Sequence, residues 1–265
     1  MSLGVPIALG FTAEIYAWRD GLVLKLYNPG AGRGTVEYEA NLTRIVHSTG
    51  LPVPAVGEIV EIEGRFGLEL ERVDGISMLE ALTRKPWNLR HYARRLAELH
   101  ADLHQRRVPE LPSLGERLAH KLKQAEMLPE NVRQAALKQL ELLPEDDRLC
   151  HGDFHPNNII LTTRGPVIID WIDASRGHPV LDVARSSLLF GSGRIPSNIP
   201  NAWLVRILQR RFYMIYRRRY FQITHIDPLL LASWRPVVAA ARLDEHIYFD
   251  EARLVSMAQK LVRTE

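Results

Sequence analysis

The stretch LCHGDFHPNNIILTTRGPVIIDW, residues 149–171, constrains this chain more than any other. His151 and His155 stand four apart with Asp153 between them. Two asparagines follow, and two short apolar runs separated by a turn lead to a second carboxylate, Asp170. Two chemistries use such residues: a transition-metal site built on the histidines, or a magnesium and phosphate site built on Asp153, Asn158 and Asp170. Residues 159–161 and 167–169 read as the strands of a hairpin. Centred on Arg164, that hairpin sets Asn158 opposite Asp170 just beyond the strand ends, whereas a slip of one residue would part them. Two hard oxygen ligands side by side suit Mg²⁺ when phosphate and water complete its shell. Asp153, on the preceding loop, is then placed to orient and deprotonate an attacking hydroxyl. The zinc reading is the weaker one. Gly152 and Pro156 both oppose the helix that an H-E-x-x-H site requires, and no third ligand stands nearby. His151 is read instead as a hydrogen-bonding brace of the loop and His155 as a spacer.

The rest of the chain supplies context for that stretch. Its 265 residues suffice for two small lobes or one large domain. The single cysteine, Cys150, excludes an intrachain disulfide framework and fits a reducing compartment. No apolar run approaches the roughly 20 residues that span a bilayer, and MSLGVPIALG lacks the basic and apolar regions of a secretory signal. The expectation is a soluble cytoplasmic protein with no membrane partner. A net charge of +3 does not by itself point to nucleic acid.

The first part of the chain reads as β structure. AEIYAWR and LVLKLY flank Asp20-Gly21, a two-residue hairpin signal. Alternation puts Leu22, Leu24 and Leu26 on one face and Val23, Lys25 and Tyr27 on the other, so Lys25 is a cation inside an apolar strand. A helix is predicted over residues 35–47, closed by Gly50 and by Pro52 and Pro54. Its Glu39 shares a face with Leu42 and Val46 and therefore wants a buried cation, for which Lys25 is the candidate. The simpler alternative leaves Lys25 on an edge strand facing water and Glu39 at a rim. Two more strands surround Glu63-Gly64 and end at Asp74-Gly75.

From Ser77 to Cys150 the pattern is helical. Leu89, Tyr92, Leu96, Leu99 and Leu103 form one stripe with Asn88 as cap. Two further helices are expected within residues 114–143. His100 and His104, one turn apart, have no carboxylate helper beside them in sequence and are read as core or hydrogen-bonding residues, not as a metal pair.

In this order the motifs resemble the aminoglycoside phosphotransferase and choline kinase superfamily. HGDFHPNN is similar to its catalytic motif and IIDW to its metal-binding motif. LGFTAEIY resembles the nucleotide loop, VLKLY the lysine strand, and YEANLTRIVHSTGLPVP the glutamate helix. LELERVDG resembles the interlobe hinge, LAELHADLH the central helix, and GHPVLDVAR the segment after the metal aspartate. The resemblance implies an α+β, bilobal protein-kinase-like fold. A small antiparallel-sheet lobe with one main helix (residues 1–74) would bind nucleotide, and a larger, mostly helical lobe (residues 75–265) would carry catalysis and the acceptor.

It further implies that Asp153 is the catalytic base, that Asn158 and Asp170 hold Mg²⁺, and that Lys25, held by Glu39, contacts the phosphates of ATP. Gly10 and Thr12 would approach the nucleotide through the loop, and backbone groups from Glu71 to Val73 would meet the adenine. GTP in place of ATP stays open. Asp182 would brace the catalytic loop. The chemistry implied is transfer of the γ-phosphoryl group to a small-molecule hydroxyl. Two departures stand out. The loop has the single glycine Gly10 where protein kinases use G-x-G-x-x-G. Only eleven residues separate Asp170 from Asp182, too few for an activation loop that would seat a protein acceptor.

The acceptor is not legible. A polycation would need clustered carboxylates, for which Asp173, Asp244, Glu245, Asp250 and Glu251 are candidates. The plainer reading makes them solvated helix faces. Arg206, Arg210, Arg211, Arg217, Arg218 and Arg219 occupy a helix whose other side is expected to present Leu204, Leu208 and Ile215; a solvated basic face or an anionic partner both fit. Two rival functions remain: a nucleotide-binding pseudokinase or partner-binding module without turnover, and nucleic-acid binding through the arginines. The second leaves residues 151–170 unexplained.

Overall fold

The computed structural model of the chain describes residues 3–10, 12–144, 146–192, 202–245 and 250–262. It begins with β1 (Ala8–Leu9), β2 (Ala13–Ala17), β3 (Leu22–Tyr27), α1 (Arg33–Ser48), β4 (Val56–Ile62), β5 (Arg65–Glu71), β6 (Ile76–Ser77) and α2 (Met78–Arg84). Then come α3 (Leu89–Leu103), α4 (Leu114–Gln124), α5 (Glu130–Glu141), β7 (Leu149–Cys150), β8 (Ile159–Thr162) and β9 (Gly165–Ile168). The chain continues through β10 (Ser175–Arg176), α6 (Pro179–Ser192), α7 (Ala202–Thr224), α8 (Pro228–Ala241) and α9 (Glu251–Ala258). Two compact units result: Met1–Glu80 with Asn157–Ala174, and Ala81–Pro156 with Ser175–Glu265.

The first unit is built on an antiparallel sheet of order β1-β2-β3-β5-β4. β3 is therefore a central strand, and Lys25 pairs with Ile15 on β2 and with Leu68 on β5. An edge lysine facing water is excluded. Strand alternation holds: Leu24 and Leu26 cluster with Tyr16 on one face. Tyr27, Ala13 and Leu68 meet Val36 and Ala40 of α1 on the other. α1 begins two residues before the predicted start, ends at Ser48 and is closed by Gly50, whose N–H donates to the His47 carbonyl.

The Glu63-Gly64 turn is the two-residue loop expected, with both residues at positive φ (53° and 75°), as a type I′ turn demands. The first hairpin differs. Trp18 N donates to Leu22 O and Leu22 N to Arg19 O, so the loop is the three residues Arg19-Asp20-Gly21. Gly21, at φ 73°, supplies the left-handed position that closes a three-residue hairpin, where a two-residue loop at Asp20-Gly21 was expected.

Within the same unit β6 pairs with β8, and β8 with β9. Ile168 N donates to Pro52 O, tying this second sheet to the segment after α1. Gly75, just before β6, has no room for a side chain: an added Cβ would lie well inside contact distance of the Leu161 carbonyl oxygen and 2.8 Å from Ile160 Cγ2. Gly75→Ala should therefore cost about 1–3 kcal/mol by forcing β6 off β8. A urea melt reads this as a lower midpoint, and an unchanged midpoint would mean that the two strands can part freely.

The second unit is helical apart from the β7–β10 pair. The α3 stripe is buried at Leu89, Leu96, Leu99 and Leu103, joined by Ala93, Ala97 and His100, while Tyr92, expected in it, is only half-buried. Asn88 stands at the cap position but its side chain accepts no capping hydrogen bond. Ser113 does cap α4, accepting from Glu116 N. On α7 the buried residues are Phe212, Tyr216, Tyr220 and Phe221, and Leu204 is exposed. The expected apolar side of Leu204, Leu208 and Ile215 is thus displaced by an aromatic row, because the rings fill the space against α3 and α6. Among the described residues no helix is long and apolar enough to cross a membrane.

Candidate active site

Lys25 lies between two carboxylates of the first unit. Its Nζ donates to Glu39 Oε1 at 2.7 Å and to Asp170 Oδ1 at 2.9 Å. Lys25 and Glu39 are both buried, and Tyr27 Oη donates a short hydrogen bond to the other Glu39 oxygen. Burial alone would push the Lys25 ammonium towards neutrality; the charges of Glu39 and Asp170 outweigh it and raise the pKa above the ordinary lysine value. Lys25 is thus a fixed cation, and removing it would leave the buried Glu39 carboxylate without its cation.

Asp170 reaches this position by a route the sequence did not indicate. Ile159 pairs with Ile168 and Thr162 with Gly165, so the turn is Thr163-Arg164 and the register is one residue away from the one expected. Asn158 falls opposite Ile169, whose N–H donates to the Asn158 carbonyl, and strand pairing does not set Asn158 against Asp170. Asp170 instead takes a left-handed backbone (φ 67°), which Asp tolerates better than most residues. Trp171, fully buried, anchors the bend by donating from Nε1 to Ile168 O. The Asp170 side chain is 41% exposed, and Oδ2 makes no hydrogen bond among the described residues. Asn158 is buried. An amide oxygen and a carboxylate oxygen on one hairpin form a hard donor set, which fits Mg²⁺ better than a softer metal.

The other sites expected in this unit lie on loops and strand ends. Gly10 N donates to Ala13 O at 2.9 Å, closing the β1–β2 loop, and a Cβ on Gly10 would sit 3.1 Å from that oxygen. Thr12 is exposed and its carbonyl accepts from Asn28 N; Phe11, in the same loop, lies outside the described residues. Glu71 ends β5, and half-buried Val73 follows it outside any strand.

In the second unit the chemistry centres on residues 151–155. Asp182, at the start of α6, accepts from His151 N at 2.6 Å and Gly152 N at 2.9 Å, fixing the loop as a brace would. Its Oδ2 also faces His100 Nε2 at 3.1 Å and His104 Nε2 at 3.3 Å. Burial alone would raise the Asp182 pKa, but the two imidazoles hold it well below the carboxylate range. His100 is kept neutral by burial, reinforced by His104, at a pKa of about 3. Its proton then belongs on Nε2 towards Asp182, leaving Nδ1 to accept from Tyr216 Oη at 2.6 Å. His104 Nδ1 meets Tyr220 Oη at 2.6 Å. These three side chains have ligand spacing for a metal, but hydrogen bonds already occupy every ring nitrogen. Phe154, fully buried, stacks on His100 at 4.1 Å and pins the far side of the loop.

Asp153 is held between these anchors. His151 Nδ1 accepts from Asp153 N, the bracing role expected of it. His155 is no spacer: its Nε2 lies 3.2 Å from Asp153 Oδ2. Arg185 approaches Asp153 Oδ1 at 4.0 Å and donates from Nε to the Gly152 carbonyl. Burial alone would raise the Asp153 pKa; His155 first, then Arg185 and His151, bring it down to about 2. The carboxylate is therefore ionised at neutral pH. His155→Ala should shift this pKa upward, towards the ordinary value of about 4. A carboxyl-carbon NMR titration reads the change, and an unmoved titration would remove His155 from the account.

A family model described as the phosphotransferase enzyme family APH matches residues 4–225. The chain belongs to that family. Among curated proteins none matches the sequence. This family member is similar in fold to a thermostable mutant of aminoglycoside phosphotransferase APH(4)-Ia in ternary complex with AMP-PNP and hygromycin B. They are 16% identical, over 98% of this chain and 92% of that one, with a TM-score of 0.68. It is also similar to aminoglycoside-3'-phosphotransferase of type VIII, at 20% identity over 91% and 92% of the two chains and a TM-score of 0.62. A third is APH(3'')-Id of Streptomyces rimosus ATCC10970 in complex with ADP and streptomycin, at 22% identity over 82% and 90% and a TM-score of 0.52. The kinase-like fold is shared with all three.

Two of the carboxylates offered as a polycation site, Glu245 and Asp250, are committed elsewhere. Glu245 accepts from Arg185 at 2.6 Å, Lys121 at 3.0 Å and Arg242 at 3.2 Å, and Asp250 pairs with Arg253. These two are neither solvated faces nor open acids, whereas Glu251 Oε1 is buried with no hydrogen-bond partner among the described residues. Residues 246–249 of the same stretch lie outside the described residues. Arg185 was missed in the sequence because its partners are 32 and 60 residues distant; only its place in LDVAR, three residues past Asp182, hinted at it.

Proposed function

We propose that this chain is an ATP- and Mg²⁺-dependent kinase that transfers the γ-phosphoryl group to a hydroxyl of a small molecule, in the cytoplasm. The observation that carries the reading is the ion triplet Glu39–Lys25–Asp170: a buried, charged lysine sharing one oxygen of an aspartate whose other oxygen makes no hydrogen bond among the described residues. Residues 1–74 act as the nucleotide lobe and 75–265 as the catalytic lobe. Lys25 contacts the phosphates of ATP or GTP, the loop of Gly10 and Thr12 covers them by backbone approach, and backbone groups from Glu71 to Val73 read the base. Asn158 and Asp170 hold Mg²⁺. The ion, when bound, neutralises charge on the phosphates.

Asp153 accepts a hydrogen bond from the acceptor hydroxyl and aligns its oxygen for in-line attack. With a pKa of about 2 it is a weak base, so it takes the proton late, once transfer has made the oxygen acidic. Nucleotide complexes among the fold relatives support the cofactor assignment. The aminoglycosides bound there do not carry over directly, because Glu245 and Asp250 are engaged by this chain's own arginines.

Calorimetric titration of ATP with and without Mg²⁺ tests the reading. Wild-type protein should bind ATP more tightly with Mg²⁺, and Asp170→Asn should lose that enhancement. Equal Mg²⁺ dependence in both proteins would contradict the assignment of the metal site.

A further inference from the structure

The second unit carries a basic groove that takes no part in the proposed reaction. It lies between α3 and α7, with a volume of about 390 Å³, and is lined by Arg90 and Arg94 from α3 and by Arg211, Arg218 and Arg219 from α7, with Ile215 among them. A second depression of about 500 Å³ shares Arg90 and Arg94 and adds Arg95 with its partner Glu98, His91 and Trp87, a residue 75% exposed.

Most other arginines of the described surface have an acid beside them. Arg33 pairs with Glu37, Arg65 with Glu14, Arg107 with Asp147 and Arg253 with Asp250. In the groove only Arg219 is answered, by Glu98 at 2.8 Å. Arg90, Arg94, Arg211 and Arg218 have no ion pair among the described residues, and α7 holds six arginines and no acid in its 23 residues. Arg90 and Arg94, one helical turn apart, repel each other, and a second basic wall on α7 faces them across a concave surface. A solvated basic face would splay its guanidinium groups outwards on a convex helix. These line a concavity instead, and their planar forks suit the paired oxygens of phosphate.

We propose that the α3–α7 groove binds a compact polyanion bearing two or more phosphoryl groups. Arg90 and Arg94 are one turn apart, about 6 Å, and Arg211 and Arg218 two turns apart, about 10 Å, so separate phosphoryl groups of one molecule can each meet a guanidinium. The volume suits a small molecule better than a duplex. The shared chemistry is a polyphosphate, either free or as the tail of a nucleotide whose base stacks on Trp87.

Titration of the whole chain with inorganic tripolyphosphate, with sulfate as the simple-anion control, tests this. Tripolyphosphate should bind at least tenfold tighter than sulfate and weaken steeply with salt. Arg94→Glu with Arg218→Glu should reduce its affinity tenfold or more, while the double lysine variant, Arg94→Lys with Arg218→Lys, retains most of it. Circular dichroism confirms that both fold. ATP run in parallel separates the sources: an affinity for the groove that falls in Trp87→Ala identifies a nucleotide, and one that does not identifies the phosphates alone. Binding undiminished by the glutamate pair, or no preference over sulfate, would overturn the proposal. So would single-stranded RNA binding a hundredfold tighter than tripolyphosphate, which would make the surface a nucleic-acid track.

Discussion

Asp182→Ala should destabilise the protein by roughly 3–5 kcal/mol, the loss expected when one member of a buried charged network is removed. The carboxylate accepts from the His151 and Gly152 amides and faces both His100 Nε2 and His104 Nε2, all of them buried or nearly so. Truncation leaves these groups without their acceptor in a site closed by Tyr216, Tyr220 and Phe154. Each unsatisfied donor there costs about 1–3 kcal/mol before relaxation. The pH dependence follows from the direction of the pKa shift. Because folding depresses the Asp182 pKa, its contribution is present above the unfolded value of about 4 and is lost as pH falls through the folded one. The stability difference between wild type and variant should therefore be full at neutral pH and shrink below about pH 4. Chemical denaturation at pH 7 and pH 3 measures both. A neutral-pH loss under about 1 kcal/mol would mean that the network does not hold the loop.

Asp153→Asn should lower turnover by about 10²–10⁴-fold while leaving the fold intact. The amide keeps the shape of the side chain but cannot take the hydroxyl proton, and its NH₂ presents donors where the acceptor needs a lone pair. The variant also gives up the charge that pairs with His155 and Arg185. Nucleotide contacts are assigned to Lys25 and Asp170, so KM for ATP should stay within about threefold. A fall in affinity with unchanged kcat would instead move Asp153 from the reaction to nucleotide binding.

The sequence carried the parts of this fold that obey a short period. Alternation in LVLKLY and the helical spacing of Glu39, Leu42 and Val46 each isolate one charge on an apolar face, and two isolated opposite charges have one cheap solution. That pairing forms at 2.7 Å. The second partner of Lys25 was not legible, because it depends on a register one residue away from the expected one and on a left-handed Asp170. Turn composition favours neither Thr163-Arg164 nor a loop centred on Arg164 strongly enough to choose. His155 was misjudged because a loop has no period from which to infer direction. Glu245 read as a surface acid, since the cations that claim it come from α4 and α6, far along the chain. His100 and His104 gave the right bland reading, but their acceptor Asp182 lies 78 residues beyond the nearer of them.

The most direct test of the phosphotransfer account is Mg²⁺-dependent ADP release from ATP over a panel of hydroxylated acceptors: aminoglycosides, choline, ethanolamine, homoserine and small sugars. The account predicts acceptor-dependent ADP release with at least one hydroxyl compound, requiring Mg²⁺ and lost in Asp153→Asn. Release that is independent of acceptor and equal in the Asp153→Asn variant would contradict it, as would a protein that binds neither Mg-ATP nor any member of the panel.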